Sequence, residues 1–157
     1  MTVGNDIRWI DQVREEHRQL NHLVSEIEAF VAQPRPEMGT KGSHTWASEL
    51  SSRLVRLHDE FFRHFRFEEE GGMVEELALA HPRAVGEVEE VVEDHKKILA
   101  QIREIMTASL VYSEGIEPED QALRGQVTDL LGFFRSHESH ETDLIQRLEY
   151  RDSAAAD

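Results

Sequence analysis

The chain of 157 residues contains no cysteine, which excludes disulfide bonds, thiolate metal sites and a cysteine nucleophile. Basic residues are scarce: 17 Lys and Arg stand against 32 Asp and Glu, and the formal net charge is −15. This balance argues against binding nucleic acid or an anionic membrane, because both require clustered basic residues. No apolar run is long enough to span a bilayer, and the first ten residues lack the basic and apolar regions of a signal peptide. We therefore expect a soluble, cytoplasmic protein.

Strand signals are missing as well, because β-branched residues do not cluster and no segment alternates for long between apolar and polar residues. Four segments instead show helical periodicity, at about residues 7–32, 44–70, 82–110 and 118–151. The turn-like stretch QPRPEMGTKGS follows the first segment, and Gly71-Gly72 with the short helical piece MVEELALA follows the second. A turn around Gly115 precedes the fourth. We expect a single domain over residues 1–151 and a disordered tail over residues 152–157.

Apolar residues recur along each segment at alternating steps of three and four. In the second segment, for example, this stripe runs through Leu50, Leu54, Leu57 and Phe61. Such a stripe is typical of a helix that packs lengthwise against other helices. Four such helices with short connections predict an all-α fold, an antiparallel up-down-up-down four-helix bundle.

Polar residues interrupt all four stripes at positions where apolar residues are expected. These residues are His17 in the first segment, His64 and Glu68 in the second, His95 in the third, and His137 and Glu141 in the fourth. A buried polar group without a partner costs on the order of 1–3 kcal/mol, so six of them require a reason. In antiparallel helices that rise about 1.5 Å per residue, all six fall at roughly the same distance from one end of the bundle. They would therefore meet in one layer.

This convergence predicts a metal site. A His and a Glu four residues apart project from one face of a helix, so a single helix supplies both an imidazole nitrogen and a carboxylate oxygen. Carboxylates can bridge two cations, and nitrogen and oxygen ligands suit iron, manganese or zinc. The order His, then His-x-x-x-Glu, occurs twice, and EEHRQL around His17 is similar to EDHKKI around His95. The repeat suggests pseudo-twofold symmetry, with two histidines and one carboxylate from each helical hairpin.

The alternative to a metal site is a buried polar network, which is stable only if every member has a partner. The remaining histidines lie off the stripes or near loops. His44 and His81 are in or beside loops, where we expect them to be solvated, and His22 and His58 are expected on the surface or behind the ligands.

Two residues next to the predicted site are kept as alternatives. His140 lies three residues after His137 and could rotate toward the site as a ligand. Glu60 lies one turn before His64 and could accept a hydrogen bond that orients an imidazole. Other acidic residues are assigned to a solvated helix face, among them Glu69, Glu70 and Glu138.

The chain resembles the hemerythrin-like (HHE cation-binding) family over about residues 10–150, through the motifs HFRFEEEGG, EEH, EDH and HESHE. The resemblance implies an antiparallel four-helix bundle around a non-haem di-iron centre. The order of ligands is that of the branch with the pattern His, His-x-x-x-Glu, His, His-x-x-x-Glu. Val91 occupies the position one turn before His95, where oxygen-carrying members have a further histidine. Thr142 stands where those members have an aspartate, so reversible oxygen transport is not expected.

Relatives with this pattern are associated with peroxide decomposition, with iron or oxygen sensing, and with defence against reactive nitrogen species. The resemblance therefore implies two iron ions bridged by Glu68, by Glu141 and by an oxo or hydroxo group (Fe-O-Fe), with two histidines on each iron. Manganese or zinc could substitute for iron. The expected partners are O2, peroxide or NO, and no protein partner is identified. Catalase-like decomposition of peroxide is the expected activity, and the alternatives are an iron- or oxygen-sensing module and a metal-free interaction bundle.

Overall fold

The computed structural model describes residues 6–34, 41–113 and 120–155 of the chain. Within these residues the chain forms five α-helices, one 3-10 turn and no strand. The elements are α1 (Asp6–Ala32), α2 (Lys41–Glu70), α3 (Met73–Ala80), the 3-10 turn (Pro82–Ala84), α4 (Val85–Ser113) and α5 (Asp120–Ala155). The four long helices pack as an antiparallel bundle, which confirms the predicted all-α fold. The short helix α3 is the predicted piece between the second and third long helices.

The observed helix ends differ from the predicted ones by a few residues. α2 begins at Lys41, before its predicted start, and α5 runs past its predicted end to Ala155. α4 begins at Val85, after the 3-10 turn that starts at Pro82. The predicted turn around Gly115 and residues 35–40 of the first loop lie outside the described residues. The expected boundary between the domain and a disordered tail stays a prediction.

Two apolar clusters form the core, one on each side of a polar layer. The larger cluster is built from the long helices and includes Leu20, Ile27, Leu54, Leu57, Phe61, Phe65, Ile98, Ile102, Leu130 and Phe134. The smaller cluster consists of Trp9, Val13, Met73, Leu77, Val88, Val91 and Leu144. Each fully buried large side chain contributes on the order of 1.5–3 kcal/mol. Among the described residues, no helix has an apolar stretch that could cross a membrane.

The short helix α3 closes the end of the bundle that holds the smaller cluster, with Met73 and Leu77 buried beneath it. Two glycines turn the chain from α2 into α3. A Cβ at Gly71 would lie 2.4 Å from the carbonyl oxygen of Phe67, and Gly72 has a φ of +112°. Both positions therefore favour glycine, because a side chain would clash at the first and strain the backbone at the second.

A polar contact ties α3 to the first helix. The indole Nε1 of Trp9 on α1 donates a hydrogen bond to a carboxylate oxygen of Glu76 on α3. The indole ring itself belongs to the smaller apolar cluster. The contact therefore holds α3 over the smaller apolar cluster, at the end of the bundle next to the polar layer.

Candidate metal centre

Six polar side chains meet in one layer between the two apolar clusters, and they are the six that the sequence predicts. They are His17 of α1, His64 and Glu68 of α2, His95 of α4, and His137 and Glu141 of α5. All except His17 are buried, with exposures of 4% or less. His17 keeps 12% of its side-chain exposure. The four-residue spacing on α2 and α5 places each histidine one turn before its glutamate on the same helix face.

The carboxylate of Glu141 reaches histidines on three helices. Its Oε1 atom lies 3.1 Å from the Nε2 atom of His17, and its Oε2 atom lies 3.1 Å from the Nε2 atom of His137. The same Oε2 atom is 3.8 Å from the Nε2 atom of His95. The two oxygens of one carboxylate therefore face different histidines, as in a bridging ligand.

The carboxylate of Glu68 occupies the corresponding position on α2. Its Oε1 atom lies 3.1 Å from the Nε2 atom of His64 and 3.2 Å from that of His95. Its Oε2 atom is 3.7 Å from the Nε2 atom of His17. Like Glu141, Glu68 thus contacts histidines from both halves of the chain.

The four imidazoles form two pairs. The rings of His17 and His64 are 4.8 Å apart between centroids, and those of His95 and His137 are 5.0 Å apart. In every imidazole the Nε2 atom faces a glutamate of the layer. Each pair comes from one helical hairpin, which agrees with the pseudo-twofold repeat in the sequence.

The spacing of the ligand atoms in the layer suits metal coordination. Ligand atoms at right angles around one ion, each about 2.1 Å from it, lie about 3 Å apart, which is the spacing seen here. The ligand atoms fall into two groups, each within 4.8 Å, and Glu141 belongs to both. Both oxygens of Glu68 and of Glu141, and the Nε2 atoms of His95 and His137, are buried without a hydrogen bond. These atoms are close to one another but form no hydrogen bonds, so they are available as ligands for a metal ion.

Without metal, the layer would bind protons. Burial lowers the pKa of His17, but contacts with the carboxylates of Glu141 and Glu68 outweigh burial and raise that pKa to about 10. Burial also lowers the pKa of His95 and of His64, but contacts with neighbouring glutamates outweigh it. They raise the pKa of His95 to about 11 and that of His64 to about 9. Burial raises the pKa of Glu141, yet its contacts within the layer bring that pKa well below its usual range. Metal ions would replace these protons as the positive charge between two buried carboxylates.

A family model of the hemerythrin HHE cation binding domain matches residues 9–148. The chain belongs to the hemerythrin HHE cation-binding family. Comparison with curated proteins finds no significant match, and comparison with solved structures finds none either. The matched residues include the whole histidine and glutamate layer, so the metal-binding character of the family agrees with the candidate site.

In this hemerythrin-family chain, a carboxylate stands behind three of the four imidazoles. The Nδ1 atom of His95 is 3.0 Å from Glu69, and that of His137 is 3.2 Å from Asp94. The Nδ1 atom of His64 is 3.7 Å from Glu16. A carboxylate at Nδ1 fixes the ring orientation and leaves Nε2 free for a metal ion.

The structure refines the prediction for one acidic residue and corrects the predictions for two others. Glu69 is predicted on a solvated face and keeps 35% of its side-chain exposure, but its carboxylate also contacts the imidazole of His95 on the neighbouring α4. Glu60, which was considered for that role, instead pairs with Arg63 on the surface. Glu138 was also assigned to solvent, but it is half-buried and accepts a hydrogen bond from Asn21 across the α1–α5 seam.

The sequence contains a signal for two of the three outer carboxylates. Glu16 and Asp94 each come directly before a single histidine, in EEH and EDH, and each faces the histidine of the next helix. The pseudo-twofold symmetry that relates His17 to His95 therefore extends to the acids behind the imidazoles.

The other histidines whose side chains the structure describes are not part of the layer. His140 is exposed on α5, so the structure does not place it as a ligand. His22 pairs with Glu26 on the surface of α1, as expected for an off-stripe residue. His58 contacts Asp59 and accepts a hydrogen bond from the Nε of Arg103. His81 is half-buried at the end of α3, and the side chain of His44 lies outside the described residues.

The two positions that distinguish the chain from oxygen carriers offer no ligand to the layer. Val91 is buried in the smaller apolar cluster, one turn before His95. Thr142 is exposed on α5, directly after Glu141. The ligands that the described residues bring together are therefore four imidazoles and two carboxylates.

Proposed function

We propose that the protein binds two iron ions in this layer and decomposes hydrogen peroxide. The observation that supports the proposal is that Glu68 and Glu141 each contact histidines of both pairs. Two carboxylates in that arrangement can bridge two ions. Each ion would then receive two imidazole nitrogens and two carboxylate oxygens, and an octahedral ion would keep positions for an oxo or hydroxo bridge and for a small molecule.

The choice of iron rests on the ligands and on the family. Imidazole and carboxylate suit iron, although manganese and zinc accept the same ligands. Bundles with two metal ions held by carboxylates are an established architecture for iron. The absence of cysteine and the charge of −15 are compatible with a cytoplasmic protein that has small-molecule partners rather than nucleic acid or membranes.

Peroxide decomposition exchanges two electrons between two peroxide molecules. One H2O2 is oxidised to O2 and gives up two electrons and two protons. The second H2O2 accepts both, its O–O bond breaks, and two water molecules form. A bound iron pair would supply the redox chemistry by storing two electrons between these half-reactions.

The protein fixes the orientation of the imidazoles and excludes water from one side of the layer. The ring of Phe65 stacks on the imidazole of His95 with centroids 4.0 Å apart and planes 9° from parallel. Phe61 and Phe134 pack next to it, with their centroids 4.8 Å apart. This aromatic wall closes the layer toward the larger cluster, so a small molecule in the layer would lie between fixed imidazoles and a dry surface.

The proposal is tested by measuring oxygen release from hydrogen peroxide by the iron-loaded protein. We expect one O2 for every two peroxide molecules consumed. The variant His137→Gln should lose most of this activity and part of the iron. The matched control His140→Gln removes an exposed histidine three residues away on the same helix, and it should behave like the unaltered protein.

Oxygen release distinguishes the enzyme from its alternatives. An iron-loaded protein that releases no O2 would contradict peroxide decomposition. If iron then protects it from proteolysis, the sensing module is favoured, because the free energy of metal binding also stabilises the fold. A folded protein that binds no metal would favour the interaction bundle.

A further inference from the structure

The six inner residues of the layer are nearly symmetric, but the four imidazoles differ in the carboxylates that contact their Nδ1 atoms. An imidazole with a carboxylate within hydrogen-bonding distance of Nδ1 is called supported. His95 and His137 both have a carboxylate within hydrogen-bonding distance of Nδ1, at 3.0 Å from Glu69 and 3.2 Å from Asp94. Both imidazoles are buried, with exposures of 1% and 4%. The pair that joins α4 to α5 is therefore fixed from behind at both rings.

The second pair, His17 and His64, lacks this support. The Nδ1 atom of His64 is 3.7 Å from Glu16, beyond a hydrogen bond, and is buried without a partner. Among the residues that the structure describes, no ion pair reaches the Nδ1 atom of His17. Its side chain is also the only one of the six ligands that is more than a few per cent exposed.

The pseudo-twofold repeat explains why His17 is unsupported. Glu69 follows Glu68 on α2 and reaches His95. The symmetric position on α5 follows Glu141 and is Thr142, which is exposed and carries no charge. One residue of the repeat is thus replaced, and the acid that would stand behind His17 is missing.

We propose that the two metal positions are unequal: Glu69 and Asp94 are positioning residues for a tightly bound ion at His95 and His137, whereas the ion at His17 and His64 is exchangeable. This inference rests on the proposed two-metal site. An acid at Nδ1 aims Nε2 at the metal and makes it a stronger donor, and its removal typically lowers metal affinity about 10–100-fold. Water also has access to the His17 side of the layer, where it competes with the protein for the ion.

The test is anaerobic removal of ferrous iron by graded concentrations of a competing chelator, followed by elemental analysis. We expect the unaltered protein to release its iron in two steps, with one ion retained after the other has left. Asp94→Asn should weaken the retained ion by about 10–100-fold and bring the two steps together. Glu16→Gln, the symmetric change behind His64, should leave the retained ion unchanged.

A variant that strengthens metal binding shows that an acid positions an imidazole, because damage to the fold could only weaken binding. Thr142→Glu restores the missing acid on an exposed position, and it should strengthen the exchangeable ion and move the first release step to higher chelator concentration. Circular dichroism confirms that each variant keeps its helices.

Three outcomes would overturn the inference. Release of two ions in one step from the unaltered protein would overturn the inequality while leaving the two-metal site intact. Equal effects of Asp94→Asn and Glu16→Gln on the retained ion would overturn the positioning role. Absence of iron from the loaded protein would overturn both the inference and the proposed function on which it rests.

Discussion

The Oε1 atom of Glu141 on α5 lies 3.1 Å from the Nε2 atom of His17 on α1, so the last helix meets the first at the polar layer. The other oxygen of the same carboxylate faces His137 and His95. One side chain thus connects the two histidine pairs, and with Glu68 it makes the layer a single site rather than two separate ones. The bridging role proposed for these glutamates leads to the first prediction.

Replacing Glu68 by alanine should remove at least half of the bound metal. The side chain is fully buried and contacts His17, His64 and His95, so both ions would lose a ligand. Elemental analysis of the purified variant measures the loss. Glu70→Ala is the matched control, because Glu70 lies on the same helix, is exposed and pairs with Arg66. Unchanged metal content in Glu68→Ala would contradict the bridging role.

The metal-free protein should lose stability as the pH rises from 6.5. The folded pKa values of His17, His64 and His95 lie near 10, 9 and 11, above the ordinary value of 6.5. Folding therefore favours bound protons, and this stabilisation is complete below pH 6.5 and is lost as the pH rises through the folded values. The lowered pKa of Glu141 affects stability in the opposite direction. The ionised carboxylate stabilises the folded protein above the ordinary pKa of 4.5, and this stabilisation is lost as the pH falls into the acid range.

Thermal unfolding of chelator-treated protein at about pH 6 and about pH 9 tests this expectation, with the lower Tm expected at the higher pH. The iron-loaded protein is the control. Its histidines are already deprotonated by the metal, so its Tm should be higher and should fall less over the same interval. A metal-free protein that is more stable at pH 9 than at pH 6 would show that the imidazoles are neutral.

The aromatic wall should contribute strongly to stability. Phe61 is fully buried, and its ring lies 5.5 Å from that of Phe65 and 4.8 Å from that of Phe134. We expect Phe61→Ala to cost about 3–5 kcal/mol in the free energy of unfolding. Phe62→Ala, at the next residue and 45% exposed, should change it by about 0.5 kcal/mol or less. Chemical denaturation of the metal-free proteins compares the two, and similar losses would contradict the assigned faces of α2.

The turn between α2 and α3 should depend on glycine. Gly72 has a φ of +112°, so Gly72→Ala should destabilise the protein by about 1–2 kcal/mol. Gly125→Ala is the control, since Gly125 lies inside α5 with no atom within 4 Å of an added Cβ. That change should stabilise the helix by about 0.5–1 kcal/mol. Equal effects of the two changes would mean that the backbone at Gly72 tolerates a side chain.

The bundle and the inner residues of the site could be predicted because they follow from a local rule. A three-four stripe predicts which residues of a helix face the core, and His64 and Glu68 lie on that stripe. Glu69 lies one residue off the stripe, and its contact with His95 depends on how closely α4 packs beside α2. Periodicity within one helix contains no information about that packing, so the sequence predicts the exposure of Glu69 but not its contact with His95.

The sequence marks the two remaining outer acids through EEH and EDH, but it does not show which imidazole each of them faces. Asp94 and Glu16 are next to a predicted ligand in sequence, but each faces the histidine of a different helix. Glu60 has the right spacing from His64, yet Arg63 on the same helix surface attracts its carboxylate. The sequence predicts contacts between residues one turn apart on the same helix. Contacts between an acid on one helix and a histidine on another depend on how the helices pack, which only the structure shows.

Elemental analysis of protein expressed with iron and purified without chelator tests the central claim most directly, with optical spectra recorded before and after peroxide is added. The account predicts about two irons per chain, with near-ultraviolet charge-transfer bands that peroxide alters. A folded, helical protein without metal would contradict it, and the six inner residues would then form only a buried polar network.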